Sequence, residues 1–260
     1  MAMTKLEGML AGCASEGRLA FGAYLVAGYP DYGTTLEAVG ALADAGVDMI
    51  ELGIPHSDPV ADGKVLQEAT TIALRRGMTP PRALDLAREA RGIVDLPILM
   101  MTYYNPILQY GAERFCTDCR RHGLDGMLVP DLPIEESRDL LSHAREEGQH
   151  LIYFLSPNSP RERIELTGEV ANGFVYLFSV LGVTGERTGV DGELPRFVQE
   201  VKHGAGVPVC VGFGISTPKQ VGSLKEMGAD GMIVGSGIVR RLDEGLQEAR
   251  DFARRLRDAC

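Results

Sequence analysis

Eight short apolar runs recur along the chain, and each is separated from the next by a longer segment whose apolar residues follow helical spacing. Glycine, aspartate or proline borders most of these runs. A regular alternation of strand-like and helix-like segments predicts repeated βα units and therefore a parallel sheet. The predicted strands are 21–26, 49–52, 98–103, 126–129, 151–155, 174–178, 207–211 and 231–234.

The predicted βα units are compatible with either a closed barrel or an open doubly wound sheet. The open sheet of dinucleotide-binding proteins places a G-x-G-x-x-G turn after the first strand, and this sequence has no such turn there. The length of 260 residues is close to the roughly 250 that are typical of one (β/α)8 barrel. We therefore predict an α/β fold with a single TIM-barrel domain over residues 1–260.

Helical spacing at three places refines this architecture. Between the second and third predicted strands there is room for two helices, 64–76 and 80–92, with Gly77 and Pro80 as punctuation. One of the two is an extra helix after strand 2. Apolar residues at i, i+3, i+4 and i+7 predict an N-terminal helix that covers one barrel end and a closing helix in the outer ring. These residues are Leu6, Met9, Leu10 and Cys13 at the start, and Leu246, Ala249, Phe252, Ala253 and Leu256 at the end.

Charge and cysteine content exclude several classes of protein. The formal net charge is -10, from 36 acidic and 26 basic residues, and no basic stripe stands out that could neutralise a nucleic-acid backbone. The five cysteines form an odd set without a repeating frame, which indicates reduced thiols and a cytoplasmic protein. No apolar run approaches the roughly 18 residues of a membrane span. We expect neither nucleic acid nor a membrane as a partner.

Two local patterns resemble known signals but lack a necessary part. Segment 10–13 looks like a lipoprotein cleavage box, but Glu7 interrupts the apolar stretch that export would require. Cys116 and Cys119, with His122 three residues later, lack the second ligand pair of a zinc site. We interpret this second pattern as plain helix surface, and we expect no metal site.

Glycine-rich turns follow the sixth, seventh and eighth predicted strands, at 182–185, 212–216 and 235–237. In a (β/α)8 barrel the active site lies at the C-terminal ends of the strands, and a phosphate commonly binds between the loops after strands seven and eight. Glycines let backbone N–H groups approach an anion, and a helix N-terminus adds a favourable dipole. Each turn alone could simply be a tight connection, but three on consecutive units predict a phosphate site.

Three acidic residues stand at or after the end of the second predicted strand. Glu51 ends an otherwise apolar run, and Asp58 and Asp62 follow in the next loop. Capping of the next helix by Asp62 and solvation of Glu51 at the rim would explain them structurally. The C-terminal end of a barrel strand is also where catalytic groups lie. Residue types alone leave both interpretations open.

Segment 51–63, ELGIPHSDPVADG, resembles the signature of the tryptophan synthase α-chain family, in which it carries two catalytic acids. Further segments resemble motifs of the same family, in order and along nearly the whole chain. They are LVAGYP at 25–30, MTYYNP at 101–106, LVPDLP at 128–133, GVTG at 182–185 and GFGIS at 212–216. The chain departs from the family pattern at His56, where Phe is frequent, and at Val180, where many relatives carry Arg. Both departures concern loop contacts.

The resemblance implies a retro-aldol cleavage of indole-3-glycerol phosphate to indole and glyceraldehyde 3-phosphate. It assigns proton donation at indole C3 to Glu51 and stabilisation of positive charge at the indole nitrogen to Asp62, with Tyr176 nearby. Glu51 should hold a proton more readily than Asp62, and Asp58 becomes a loop-shaping residue or partner contact. The implied substrate-binding residues are Thr184, Gly185, Gly214, Gly235 and Ser236 around the phosphate, and Tyr24, Met101, Leu128, Phe213 and Ile233 around the indole. Ordinary barrel packing would explain each apolar member equally well.

The resemblance also implies a partner, because the family is the lyase half of a two-enzyme complex that passes indole to a PLP-dependent β chain. An α2β2 heterotetramer is expected, with no cofactor in this chain and with loops 55–62 and 181–192 taking part in closure and contact. Two alternatives remain, a stand-alone lyase that releases free indole and a non-catalytic subunit that only activates a β chain. A different phosphosugar barrel is the weaker chemical alternative.

Overall fold

Eight parallel strands close into a barrel in the computed structural model, which describes residues 3–178, 193–212 and 214–260. Each strand pairs with its neighbour in sequence, and β8 returns to pair with β1, with Ala20 opposite Gly231. The closed barrel predicted in preference to an open sheet is thereby confirmed. The strands are β1 (Ala20–Val26), β2 (Met49–Gly53), β3 (Ile98–Met101), β4 (Gly126–Leu128), β5 (His150–Leu155), β6 (Val175–Phe178), β7 (Val209–Gly212) and β8 (Gly231–Val234).

Helices form the outer ring, and two of them, α3 and α4, lie between β2 and β3 as predicted. Two short helices, α5 after β3 and α11 after β8, were not predicted. The helices of the described residues are α1 (Lys5–Ser15), α2 (Tyr32–Asp44), α3 (Lys64–Arg75), α4 (Pro80–Ile93), α5 (Tyr104–Tyr110), α6 (Ala112–Arg121), α7 (Arg138–Glu146), α8 (Arg161–Val170), α9 (Glu193–Ala205), α10 (Pro218–Glu226), α11 (Ser236–Glu244) and α12 (Leu246–Arg257). A short 3-10 helix, Ile134–Glu136, precedes α7.

The N-terminal helix α1 covers the N-terminal end of the barrel, as predicted. It begins with a reciprocal capping box, in which the Thr4 side chain accepts from the Glu7 N–H and the Glu7 side chain accepts from the Thr4 N–H. Leu6 is fully buried. The Thr4 hydroxyl lies 2.9 Å from Nε2 of His150, the first residue of β5. This contact places α1 against the strand beginnings, away from the opposite rim.

The interpretation of Cys116 and Cys119 as helix surface is wrong. Both cysteines and Phe115 lie on the buried face of α6. Cysteine behaves as a small apolar residue in a protein interior, and here the two thiols pack against the barrel beside an aromatic ring. Burial raises the pKa of the Cys116 thiol to about 12, so it is unreactive at neutral pH.

A repeated aspartate contact fixes the strands at this same N-terminal end of the barrel. Asp48, Asp125 and Asp230 each precede a strand directly, and one carboxylate oxygen of each accepts a hydrogen bond from the backbone N–H of the first or second residue of the neighbouring strand. The donors are Phe21 at 2.9 Å, Ile98 at 2.8 Å and Val209 at 2.8 Å. Ion pairs with Arg18, Arg91 and Lys202 complete the three contacts.

Because these carboxylates join adjacent strands at the N-terminal rim, they stabilise barrel register at the end opposite the C-terminal ends of the strands. Each also neutralises a partly buried cation, so removal of one aspartate leaves both an N–H donor and a cation without their partner.

Within the described residues, no helix has the length and apolar character that a membrane span requires.

We expect Asp125→Ala to lower the free energy of unfolding by about 1–3 kcal/mol, because the Ile98 N–H loses its acceptor and Arg91 loses its carboxylate partner, keeping only two carbonyl acceptors. Urea denaturation at pH 7 measures this loss. Asp85→Ala is the control, since Asp85 is exposed, makes an i,i+3 pair with Arg88 and lies a long 3.9 Å from Nε2 of His122, and its loss should change stability by less than about 0.5 kcal/mol. Equal losses in the two variants would contradict a register-fixing role for Asp125.

Candidate active site

A cavity of about 590 Å³ opens at the C-terminal ends of the strands. Its walls come from strands on opposite sides of the barrel and from the loops that follow them. Nine predicted site residues, far apart in sequence, meet there because all parallel strands end on the same rim. They are Tyr24, Glu51, Asp62, Met101, Tyr176, Gly214, Ile233, Gly235 and Ser236.

Glu51 lies inside the barrel on β2, in register with Tyr24 on β1 and Leu99 on β3. Its side chain is fully buried, and among the described residues neither carboxyl oxygen has a hydrogen-bond partner. Since an isolated carboxylate is unfavourable away from water, burial raises the pKa of Glu51 to about 8. Glu51 is therefore a neutral acid at pH 7 and has a proton to donate.

Asp62 lies near the end of the loop that joins β2 to α3, residues 54–63, which we call the β2–α3 loop. Its N–H donates to the Pro59 carbonyl at 3.0 Å, and its carbonyl accepts from the Gln67 side chain at 2.8 Å. Burial raises the pKa of Asp62 to about 6, and hydrogen bonding with the Tyr103 hydroxyl partly opposes this shift. Asp62 is therefore mostly ionised at pH 7.

The two acids thus hold different protonation states at neutral pH, in the order expected from the sequence. Glu51 has a full shell of protein around it, whereas Asp62 remains closer to solvent and has a hydroxyl neighbour. Two carboxyl groups whose pKa values are separated by their surroundings form a pairing suited to acid and base roles in one reaction.

Two tyrosines approach neighbouring strands at glycine positions. A Cβ atom on Gly53 would lie 2.1 Å from the Tyr24 hydroxyl oxygen, and one on Gly212 would lie 2.0 Å from the Tyr176 hydroxyl oxygen. Only glycine leaves room for these rings. Burial, together with Asp62 for Tyr24 and Glu51 for Tyr176, raises the pKa of both phenols, so both keep their protons.

An aromatic wall was missed by the sequence predictions. Phe154 stacks on Phe178 with ring centroids 4.8 Å apart, and it contacts Tyr176 at 4.9 Å. Phe154 and Phe178 both line the cavity. Their position near the C-terminal ends of β5 and β6 could have indicated a place in the site. The sequence does not show which residues of a barrel strand point inward, because that depends on the strand register. The wall suits a flat aromatic ligand.

The part of the cavity formed after β7 and β8 is polar backbone. Gly235 and Ser236 stand at the start of α11, where the first N–H groups of a helix have no partner within the helix. Gly214, with φ of +74°, belongs to the turn after β7. Gln220 holds that turn, since its side chain accepts from the Ser216 N–H at 2.8 Å and donates to the Gly214 carbonyl at 3.1 Å. Such a concave backbone region suits an anion.

The remaining predicted residues fall outside this arrangement or outside the described residues. Leu128 is fully buried in β4, and it does not contribute to the cavity wall. Thr184, Gly185 and Phe213, like Val180 and the whole loop 181–192, lie outside the described residues. Within the part of the chain that the structure describes, no three His, Cys, Asp or Glu side chains are grouped as metal ligands would be.

Burial of Glu51 has a measurable effect on stability. The pKa of its carboxyl rises from 4.5 to about 8 on folding, so between these values the folded state keeps a proton that the unfolded state has lost. The free energy of unfolding should therefore fall as pH rises through this range. Because Glu51→Gln has no charge to bury, we expect it to be more stable than the parent at pH 8, by about 2–4 kcal/mol, and similar at pH 4.

Urea denaturation at pH 4, 6 and 8 tests this expectation. The control is Glu37→Gln, which removes an exposed carboxyl group from α2 and should leave the pH dependence of the parent unchanged. If Glu51→Gln were less stable than the parent at pH 8, the buried carboxylate of the parent would have to be stabilised by a partner, and the expectation would be wrong.

Comparison with known proteins agrees with this geometry. A family model described as tryptophan synthase alpha chain matches residues 10–260. The chain is 46% identical over 251 residues to the tryptophan synthase alpha chain of Prochlorococcus marinus, covering 95% of this chain and 91% of the relative. The corresponding protein of Synechococcus elongatus is 43% identical over 258 residues, covering 99% of this chain and 97% of the relative.

Solved structures show the same similarity in three dimensions. The alpha subunit of tryptophan synthase from Legionella pneumophila matches with a TM-score of 0.92 and 31% identity, covering 99% of this chain and 98% of that one. A chain of the aminoacrylate-bound tryptophan synthase from M. tuberculosis matches with a TM-score of 0.90 and 34% identity, covering 98% of this chain and 99% of that one. The chain therefore belongs to the tryptophan synthase alpha chain family.

Proposed function

We propose that this chain catalyses the retro-aldol cleavage of indole-3-glycerol phosphate to indole and glyceraldehyde 3-phosphate. The observation that carries the proposal is the pair of acids in one cavity, with Glu51 neutral and Asp62 ionised at pH 7. The aromatic wall beside them fits an indole ring, and the backbone at the start of α11 fits a phosphate. Family membership supports the same reaction.

The reaction needs one proton to enter the indole ring and another to leave the glycerol chain. Glu51 donates its proton to indole C3, and the ring nitrogen takes up the positive charge. Asp62, as a carboxylate beside the N–H, stabilises that charge. The Glu51 carboxylate then removes the carbinol proton, the bond from C3 to the carbinol carbon breaks, and its electron pair restores the indole ring. The aldehyde leaves, and Glu51 is protonated again.

The cavity supplies the remaining contacts in this proposal. Gly214, Gly235 and Ser236 hold the phosphate, together with Thr184 and Gly185 of the β6–α9 loop. Tyr24, Met101 and Ile233 contact the indole from the barrel, with Phe213 as a further wall residue, and Leu128 is buried beside Met101 on the next strand. Phe154 and Phe178 extend the aromatic side. Holding the phosphate at one end and the ring at the other aligns the scissile bond with Glu51.

No cofactor in this chain is required by these steps, because both proton transfers use carboxyl groups and the charge formed is met by Asp62. We propose that PLP chemistry belongs to a partner, a tryptophan synthase beta chain, in an α2β2 heterotetramer. Loops 55–62 and 181–192 and Asp58 are the proposed contact regions. Val60, in the first of these loops, exposes 70% of its surface, which suits burial against a partner. The reduced cysteines support a cytoplasmic location.

Indole release from indole-3-glycerol phosphate is the direct test. We expect Glu51→Gln and Asp62→Asn each to lower kcat by at least about 100-fold, since each removes a group that acts on the transition state. Asp58→Asn is the matched control in the same loop and should retain the activity of the isolated chain. Full indole production by Glu51→Gln would overturn the assigned acid. Measurement with and without a beta chain separates a stand-alone lyase from a complex-dependent one.

The pH dependence of kcat/KM is expected to be bell-shaped. The rising limb follows ionisation of Asp62, whose pKa is about 6, and the falling limb follows loss of the Glu51 proton, whose pKa is about 8. Activity should therefore be highest near pH 7. Initial rates from pH 5 to 9 at constant ionic strength measure the profile. A rate that still rises between pH 8 and 9 would contradict a proton donor at Glu51.

A further inference from the structure

Tyr103 lies where β3 passes into α5, directly beneath the β2–α3 loop that carries Asp62. Its side chain is buried, and its hydroxyl oxygen accepts a hydrogen bond from the Ala61 N–H at 3.0 Å. The His56 ring lies against its ring, with centroids 5.3 Å apart. One tyrosine of the barrel therefore contacts the loop near its beginning and again at the residue before the proposed catalytic acid.

The other hydrogen bonds near Asp62 in the β2–α3 loop differ from the bond between Ala61 and Tyr103. The N–H groups of Val60 and Asp62 donate to carbonyls within the loop itself, both at 3.0 Å. The Asp62 carbonyl accepts from Gln67, which belongs to the helix that follows. These bonds shape the loop but do not fix it to the barrel near Asp62, whereas the bond from Ala61 to Tyr103 does.

The hydroxyl group has one proton to donate and lone pairs to accept with. Because the Ala61 N–H occupies one lone pair, the proton remains for another partner, and its hydrogen bonding with Asp62 favours the ionised carboxylate. Burial and the charges of Asp62, Asp131 and Asp58 raise the pKa of Tyr103 well above its ordinary range. The donor proton is thus retained across the pH range of the reaction.

We propose that Tyr103 is a positioning residue, which ties the β2–α3 loop to the barrel at Ala61 and so holds the Asp62 carboxylate in place at the cavity wall. The inference rests on the proposed function, in which Asp62 stabilises positive charge at the indole nitrogen. Tyr103 itself need not touch the substrate. It acts through the position and the charge of its neighbour.

Other titratable groups surround this pair and set the background of any pH measurement. They are Tyr24 on β1, Glu51 on β2, Tyr176 on β6, His56 and Asp58 on the loop, and Asp131 after β4. Tyr24 and Tyr176 interact with both acids and carry no charge below their raised pKa values. Tyr103 also interacts with Tyr24, but both phenols stay uncharged across the pH range of the rising limb, so a shift in that limb reports on Asp62.

The experiment compares the intact chain with Tyr103→Phe, which keeps the ring and its contact with His56 but removes the hydroxyl. We expect the rising limb of kcat/KM to move to higher pH by about 0.5–1 unit. We also expect kcat to fall about tenfold with little change in KM, because Asp62 acts on the transition state. Carbon-13 NMR of labelled aspartate, with Asp62→Asn for assignment, should show the same upward shift without substrate.

Tyr110→Phe is the matched control, because it also removes a hydrogen bond from a tyrosine to an aspartate, Asp118 at 2.7 Å, but away from the cavity. Its pH profile should match that of the parent, and urea denaturation verifies that both variants fold. An unchanged Asp62 titration and pH profile in Tyr103→Phe would overturn the proposal, even if stability fell. An inactive parent that still shows the NMR shift would refute the proposed function and leave the Tyr103 contact in place.

A second substitution keeps the proposal testable should Tyr103→Phe fail to fold. Incorporation of 3-fluorotyrosine at position 103 preserves the shape of the side chain and makes the phenol a stronger hydrogen-bond donor. We expect the Asp62 titration and the rising limb to move to lower pH, opposite to the change expected for Tyr103→Phe. A shift to higher pH, or none, would contradict donation to Asp62.

Discussion

Parallel pairing between β8 and β1 closes the sheet, and the rest of the molecule depends on this closure. In a closed parallel barrel every strand ends on the same rim, so residues from the beginning, middle and end of the chain line one cavity. The opposite rim carries the aspartate contacts of Asp48, Asp125 and Asp230 and the covering helix α1. Strand register is stabilised at the N-terminal rim, so the residues at the C-terminal rim can serve the reaction rather than the stability of the sheet.

Glu51 shows what such a group costs the fold. A fully buried carboxyl group without a hydrogen-bond partner among the described residues is unfavourable for stability. The same surroundings keep it protonated at neutral pH, which is the state that the proposed proton transfer requires. Asp62 lies on a loop, with the Tyr103 hydroxyl nearby, and ionises more easily. Glu51 lies on a buried strand, whereas Asp62 lies on a loop held by Tyr103, and this difference in position gives two otherwise similar acids different pKa values.

Alternation of apolar runs and helical segments predicted the barrel because a βα repeat has few ways to bury its apolar faces. Boundaries were less well predicted. β3 ends at Met101 rather than at residue 103, because the backbone turns into α5 at Tyr104. β7 begins at Val209 rather than at residue 207. Cys116 and Cys119 were misjudged because α6 is strongly polar overall, and which of its sides faces the barrel depends on its packing.

Like the elements of the fold, the residues of the site were predicted from the sequence only in part. Segment 51–63 and the glycine turns were recognisable because catalytic acids and anion-binding backbone require particular residues at particular spacings. Phe154, Phe178 and Tyr103 were not singled out, since an aromatic residue near a strand end can face the cavity, a helix or a neighbouring loop. Leu128 was expected in the indole pocket; it is buried beside the cavity-lining Met101 without lining the cavity itself, and its contact with indole stays a prediction.

By itself, the sequence determined the order of strands and helices, the rim at which chemistry would occur and the family to which the chain is similar. Those features follow from local periodicity and from short motifs, which are properties of neighbouring residues. Only the tertiary structure decided the separation of the two pKa values, the aromatic wall and the hold of Tyr103 on the loop. Each of these depends on burial and distance between residues from different strands, which barrel closure sets.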